Sequence, residues 1–196
     1  VDDELVWYAA YGSNLCAARL ACYLEGGTPL GARRATPGAR DPRPPRDWRR
    51  VDLPHPLWFG GPSRTWRGGP AFLDVERPGT AVGRAWLVTR GQLADVVAQE
   101  NGRPAGSVDL PDPLVAGGGV VLPGAAYGRV VALAPVDGRP CLTATYHRRP
   151  DGRAPDPAYL ALVAAGLAET GLGAESARSL LAAHPQVPRM DDPDVR

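Results

Sequence analysis

The spacing of short apolar segments after residue 56 constrains this chain most. Residues 57–59, 70–75, 81–88, 127–133 and 140–146 are rich in Val, Leu and aromatic side chains. Turn residues such as Pro78-Gly79 and Asp137-Gly138 separate them, a pattern that reads as short strands. Asp137-Gly138 predicts a hairpin with a type I′ turn, which needs positive φ at both central positions. Only one helical segment falls among these strands, which argues against a doubly wound parallel sheet. The expected class is α+β: a small mixed or antiparallel β-barrel flanked by helices.

The N-terminus supplies a second constraint. The apolar run at 5–10 passes into Tyr11-Gly12-Ser13-Asn14-Leu15 and then into a helix-like stretch at 16–24, stopped by Gly26-Gly27. Such a corner points main-chain N–H groups into one space at a helix start, where a negative group is stabilised. Gly12 lets the backbone approach a neighbour closely, and Ser13 or Asn14 can cap the helix. On residues alone, an ordinary capped strand–helix corner fits equally well.

Residues 89–101 read as a helix with a capping-box pair, Thr89 and Gln92, and a stop at Asn101-Gly102. Leu93, Val96, Val97 and Glu100 share its inward face. A carboxylate there, at the negative end of the helix dipole, has its pKa raised and can trade protons near neutral pH. The same residues allow a Glu100 that escapes to solvent or pairs with an arginine. Further on, Asp156 before Pro157 starts a helix, and a second spans 174–184 before Pro185. Glu169 and Glu175 are expected on the surface and the tail at 190–194 frayed.

Composition narrows the function classes. The 196 residues, 44% hydrophobic, suit one domain over 1–196, and a net charge of +1 gives no field for nucleic acid. Every basic residue is Arg. The Pro- and Arg-rich stretch at 36–56 is expected to be a solvated surface excursion. Cys16, Cys22 and Cys141 have no metal-ligand spacing and leave an odd thiol, which points to a reducing, cytoplasmic setting. His55, His147 and His184 are too sparse for a metal site, and no cofactor is expected. No basic leader precedes an apolar core, and no apolar run approaches the roughly 18 residues of a membrane span.

Four stretches, in order, resemble the γ-glutamylcyclotransferase family. They are Tyr11-Gly12-Ser13-Asn14-Leu15, the block at 63–72, Ala98-Gln99-Glu100-Asn101-Gly102, and Thr145-Tyr146 followed by 154–159. The resemblance implies a compact β-barrel core with helices outside and a small-molecule γ-glutamyl substrate. It implies Glu100 as catalytic acid/base and Tyr11 to Leu15 as the substrate cradle. It also implies pocket roles for Tyr127, Tyr146 and, less directly, Tyr159. The reaction would close the substrate's α-amine on its γ-carbonyl to give 5-oxoproline and a free amine. The segments at 103–126 and 36–56 are longer than the family pattern, which leaves the leaving amine open. Two other readings stand beside it. One is amide hydrolysis by a Cys16 or Ser13 nucleophile, with the Cys16 thiol pKa lowered at a helix N-terminus. The other is a binding module without turnover. Oligomeric state is not legible.

Overall fold

The computed structural model describes residues 4–63, 65–110 and 118–188. Its centre is strand β1 (Leu5–Ala10), five of whose six residues are buried. Alternate side chains serve opposite faces, as strand geometry requires. Val6, Tyr8 and Ala10 join one apolar cluster, and Trp7 and Ala9 join the other. A strand covered on both sides reads as a continuous apolar run, which is what residues 5–10 show.

Around β1 lies a six-stranded mixed sheet. Its further strands are β2 (Asp47–Leu53), β5 (Ala81–Thr89), β6 (Gly119–Val121), β7 (Arg129–Val136) and β8 (Arg139–Thr145). The spatial order is β2-β5-β1-β8-β7-β6, with β1 and β8 parallel and all other pairs antiparallel. A separate ribbon pairs β3 (Leu57–Phe59) with β4 (Ala71–Leu73). Helices α1 (Ala17–Glu25) and α2 (Arg90–Glu100) feed the first cluster through Leu20, Tyr23, Leu24, Leu93, Val96 and Val97. The ribbon and helices α3 (Pro157–Leu167) and α4 (Ala174–Ala182) feed the second.

The α+β class and the mixed sheet agree with the sequence reading, but the sheet does not close into a barrel. Both edges stay open for a physical reason. Strand β6 is three residues long, and β2 carries Asp47, Arg49, Arg50 and Asp52, charges that blunt an edge. Strand β2 also corrects the reading of 36–56 as a plain surface excursion. All of it pairs with β5, from Asp47 opposite Leu87 to Leu53 opposite Ala81. An exposed, charged edge strand lacks the alternation that would have revealed it.

Local signals hold elsewhere. Thr89 Oγ1 accepts from the Gln92 amide at 3.1 Å and Gln92 Oε1 accepts from the Thr89 amide at 3.0 Å, closing the capping box. Asp137 and Gly138 have φ of 47° and 72°, the type I′ turn. Asp156 caps α3 through the Ala158 amide at 2.8 Å. Helix α2 is buried beyond the expected face, from Gln92 to Gln99. Two loops cover its outer side. Asp95 accepts from the amides of Arg40 at 2.9 Å and Gly106 at 2.7 Å, and Gln99 Oε1 accepts from the Gly38 amide at 3.1 Å. The expected frayed tail at 190–194 lies outside the described residues. Among those described, no helix is long and apolar enough to cross a membrane.

Candidate active site

Where β1 ends, the chain makes one 3-10 turn, Ser13–Leu15, before α1. The Leu15 and Cys16 amides are used inside it, donating to Gly12 O at 3.0 Å and Ser13 O at 3.1 Å. Gly12 is needed for closeness, since a Cβ there would lie 2.7 Å from the Tyr159 hydroxyl oxygen. That hydroxyl accepts from the Ala71 amide at 3.0 Å.

Neither Ser13 nor Asn14 caps α1. The cap comes from Glu169, whose Oε2 accepts from the Ala17 amide at 3.0 Å and pairs with buried Arg84 at 2.5 Å. The expected surface glutamate therefore ties α1 to the end of α3. The Asn14 side chain turns instead to the acid. Its Nδ2 donates to Glu100 Oε1 at 2.8 Å and to the Tyr8 hydroxyl at 2.9 Å. Its main-chain oxygen accepts from Trp86 Nε1 at 2.9 Å.

Glu100, at the last turn of α2, is half-buried. Burial pushes its pKa above the ordinary carboxylate range. The Arg19 charge, the bond from Asn14 and the nearby Tyr23 hydroxyl offset only part of that rise. Burial also raises the pKa values of Tyr8, Tyr11, Tyr23 and Tyr127, and takes Tyr159 to about 12. These phenols stay protonated at neutral pH and serve as hydrogen-bond donors.

Glu100 borders two adjoining spaces. The larger, about 380 Å³, is walled by Ser13, Arg19 and Tyr23 on one side, and by Trp66, Tyr127 and Tyr159 across from it. Its rim comes from 34–37, 102–104 and Gly124 with Ala126, so both long connections border the site. The smaller, about 20 Å³, lies among Tyr8, Tyr11, Gly12 and Asn14 and shares Ser13, Glu100, Tyr127 and Tyr159 with the larger. It has room for about one water. Among the described residues lining either space, Glu100 is the sole carboxylate.

Of the site residues read from sequence, Glu100, Tyr11, Gly12, Ser13, Asn14 and Tyr127 meet here. Tyr11 and Tyr127 are pinned by their hydroxyls to Ala144 O at 2.5 Å and Ala71 O at 3.1 Å. Leu15 and Tyr146 do not reach either space. Leu15 is fully buried in the second apolar cluster, and Tyr146 gives its hydroxyl to buried Asp74. Arg64 of the 63–72 block lies outside the described residues. Its neighbours have structural tasks: Ser63 Oγ accepts from the Trp66 amide at 2.9 Å, and Trp66 packs on Tyr159 with ring centroids 5.5 Å apart.

Sequence reasoning passed over Tyr8, Tyr23 and Arg19. Tyr8 shares its strand face with Val6 and Ala10, and Arg19 shares a helix face with Tyr23. A polar group amid apolar spacing was the available signal. The nucleophile reading finds no support at Cys16. Burial, with Glu169 beside it, raises the thiol pKa where the helix N-terminus was expected to lower it. None of the three histidines lines either space.

The mixed sheet and its flanking helices form a γ-glutamyl cyclotransferase-like fold. No family model matches the chain. A solved "Gamma-glutamyl cyclotransferase" superposes with a TM-score of 0.57 at 22% identity, over 97% of this chain and 92% of that one. An uncharacterized protein from Homo sapiens gives 0.57 at 22% identity, over 96% and 91%. YkqA from Bacillus subtilis gives 0.54 at 18% identity, over 94% of this chain and 56% of that one. These likenesses show the fold. Among curated proteins, "Histone deacetylase 5" of Arabidopsis thaliana is 34% identical over 158 residues. That match takes in 71% of this chain and 23% of the plant protein, so the chain spans under a quarter of that relative's length.

Proposed function

We propose that the chain is a cyclotransferase that converts a γ-glutamyl amide to 5-oxoproline and the free amine. The observation that carries this reading is Glu100: the sole carboxylate among the described cavity-lining residues, held by Asn14, with its pKa raised by burial. The smaller space holds about one water, so the glutamyl unit lies in the larger one against Glu100.

Glu100 takes a proton from the substrate's α-ammonium group, and the freed nitrogen attacks the γ-carbonyl carbon. The new C–N bond closes a five-membered ring and pushes the carbonyl electrons onto oxygen. When the carbonyl re-forms, the original amide C–N bond breaks and protonated Glu100 gives its proton to the departing nitrogen; the carboxylate so freed takes the second proton of the ring nitrogen, which ends on the released amine as it becomes an ammonium ion. A carboxyl group with a raised pKa suits both transfers. The Tyr159 hydroxyl accepts from the Ala71 amide and keeps its own O–H to donate to the developing oxyanion, beside the Gly12-Ser13-Asn14 amides.

The partner is a small γ-glutamyl molecule, and the free thiols Cys16, Cys22 and Cys141 favour a reducing cytoplasm. The purified protein, incubated with a panel of γ-glutamyl amides, is expected to release 5-oxoproline from at least one. Binding without release across the panel would leave a binding module on this fold.

A further inference from the structure

The proton transfers proposed for Glu100 leave one buried cation unused. Arg19 is 2% exposed and lines the larger cavity. Its guanidinium lies over the Tyr23 ring, 3.9 Å from the centroid, and one terminal nitrogen donates to the Tyr23 hydroxyl at 2.5 Å. Its Nε and other terminal nitrogen have no hydrogen-bond partner among the described residues. A buried guanidinium with N–H groups unmet and no ion-paired carboxylate among the described residues is costly unless an anion is part of the working site.

The position of this cation relative to Glu100 is specific. Arg19, Tyr23 and Glu100 line the same cavity, and the Tyr23 hydroxyl, which accepts from Arg19, lies near the Glu100 carboxyl. The two charges therefore face one space with the Tyr23 hydroxyl near both. An α-amino acid carries an ammonium and a carboxylate on one carbon and can bridge the two with a hydrogen bond at each end.

We infer that Arg19 is the anion-binding residue of this cavity: its orphaned N–H groups hold the α-carboxylate of the glutamyl unit while Glu100 faces the α-ammonium group. This rests on the cyclotransferase reading, which supplies that head group. The pair orients the α-nitrogen toward its proton acceptor and makes a free α-carboxylate a condition of good binding. Substrates blocked at the γ-position remain acceptable, and those blocked at the α-carboxylate do not.

The test compares L-glutamine, the simplest γ-glutamyl amide, with its α-carboxamide. Both are titrated calorimetrically into the wild-type chain, Arg19→Gln and Arg19→Lys, and 5-oxoproline release is assayed in parallel across the panel of γ-glutamyl amides. The wild type is expected to bind the free acid at least about tenfold more tightly than the carboxamide, a preference lost in Arg19→Gln and partly kept in Arg19→Lys. Equal binding of the two ligands by the wild type, which needs no variant to fold, would overturn the assignment. So would a preference that survives in Arg19→Gln. Lactam release without the acid preference would sink Arg19's role alone, whereas the preference without release would sink cyclotransfer alone. Binding of neither ligand would overturn the Arg19 assignment, and no release across the panel would overturn cyclotransfer.

Discussion

The Asn14 amide nitrogen donates to Glu100 Oε1 at 2.8 Å, joining the turn after the first strand to the last turn of α2. This bond stabilises the carboxylate form and opposes the burial that raises the pKa. Replacing Asn14 by Ala should therefore push the Glu100 pKa higher still. In a pH–rate profile, the acid limb of kcat/KM moves to higher pH and the maximum falls by about ten- to a hundredfold. An unchanged acid limb would separate Asn14 from the titration of Glu100.

Glu100 has a folded-state pKa above that of the unfolded chain, so the folded protein holds its proton more tightly. Its contribution to stability is fully present below the unfolded pKa and is lost as pH rises through the folded one. Glu100→Gln should therefore leave the melting temperature unchanged near pH 4. At pH 8 it should raise it, by about 2–4 °C for each kcal/mol gained in a chain of this length. Thermal melts at the two pH values check the sign.

Gly12 and the Tyr159 hydroxyl are in close approach, with 2.7 Å left to an added Cβ. Gly12→Ala is expected to destabilise the fold by about 1–3 kcal/mol and to cut 5-oxoproline release at least about tenfold. Adding Tyr159→Phe removes the clashing oxygen, so the double variant should recover stability but not activity. Denaturant unfolding and turnover, measured on all three variants, separate the two effects.

Glu169 caps α1 and neutralises Arg84, whose side chain is 6% exposed. The glutamate is itself about one-third exposed, so solvent screens part of the pair's energy. Glu169→Ala should cost about 1–3 kcal/mol by uncapping the helix and leaving a buried guanidinium short of a partner. Urea unfolding reads this directly, and a loss under about 0.5 kcal/mol would mean the pair is held apart in solution.

The parts of this chain that could be read from sequence are those governed by neighbours along it. Thr89 with Gln92, Asp137 with Gly138, and Asp156 with Pro157 carry their conformation in adjacent residues, and the structure reproduces each. Glu100 was legible because Leu93, Val96 and Val97 fix which side of the helix it joins. The rest depends on distant partners. Strand β2 hides because Arg49 and Arg50 face solvent while its hydrogen bonds reach β5. Glu169 reads as a surface residue until Arg84 and the start of α1 meet it. Arg19 has no local signal beyond sitting where Leu20 and Leu24 turn inward. Tyr146 and Leu15, assigned through resemblance, prove to anchor the scaffold, through Asp74 and the second apolar cluster.

The central claim is that a single carboxyl group both accepts and returns the proton during ring closure. The most direct measurement is the rate of 5-oxoproline formation from a γ-glutamyl amide by the wild-type chain and by folded Glu100→Gln. The expected result is release by the wild type and a fall of about 10²–10⁴-fold in kcat for the variant, with the melting curve intact. A Glu100→Gln protein that forms the lactam at the wild-type rate would contradict the account.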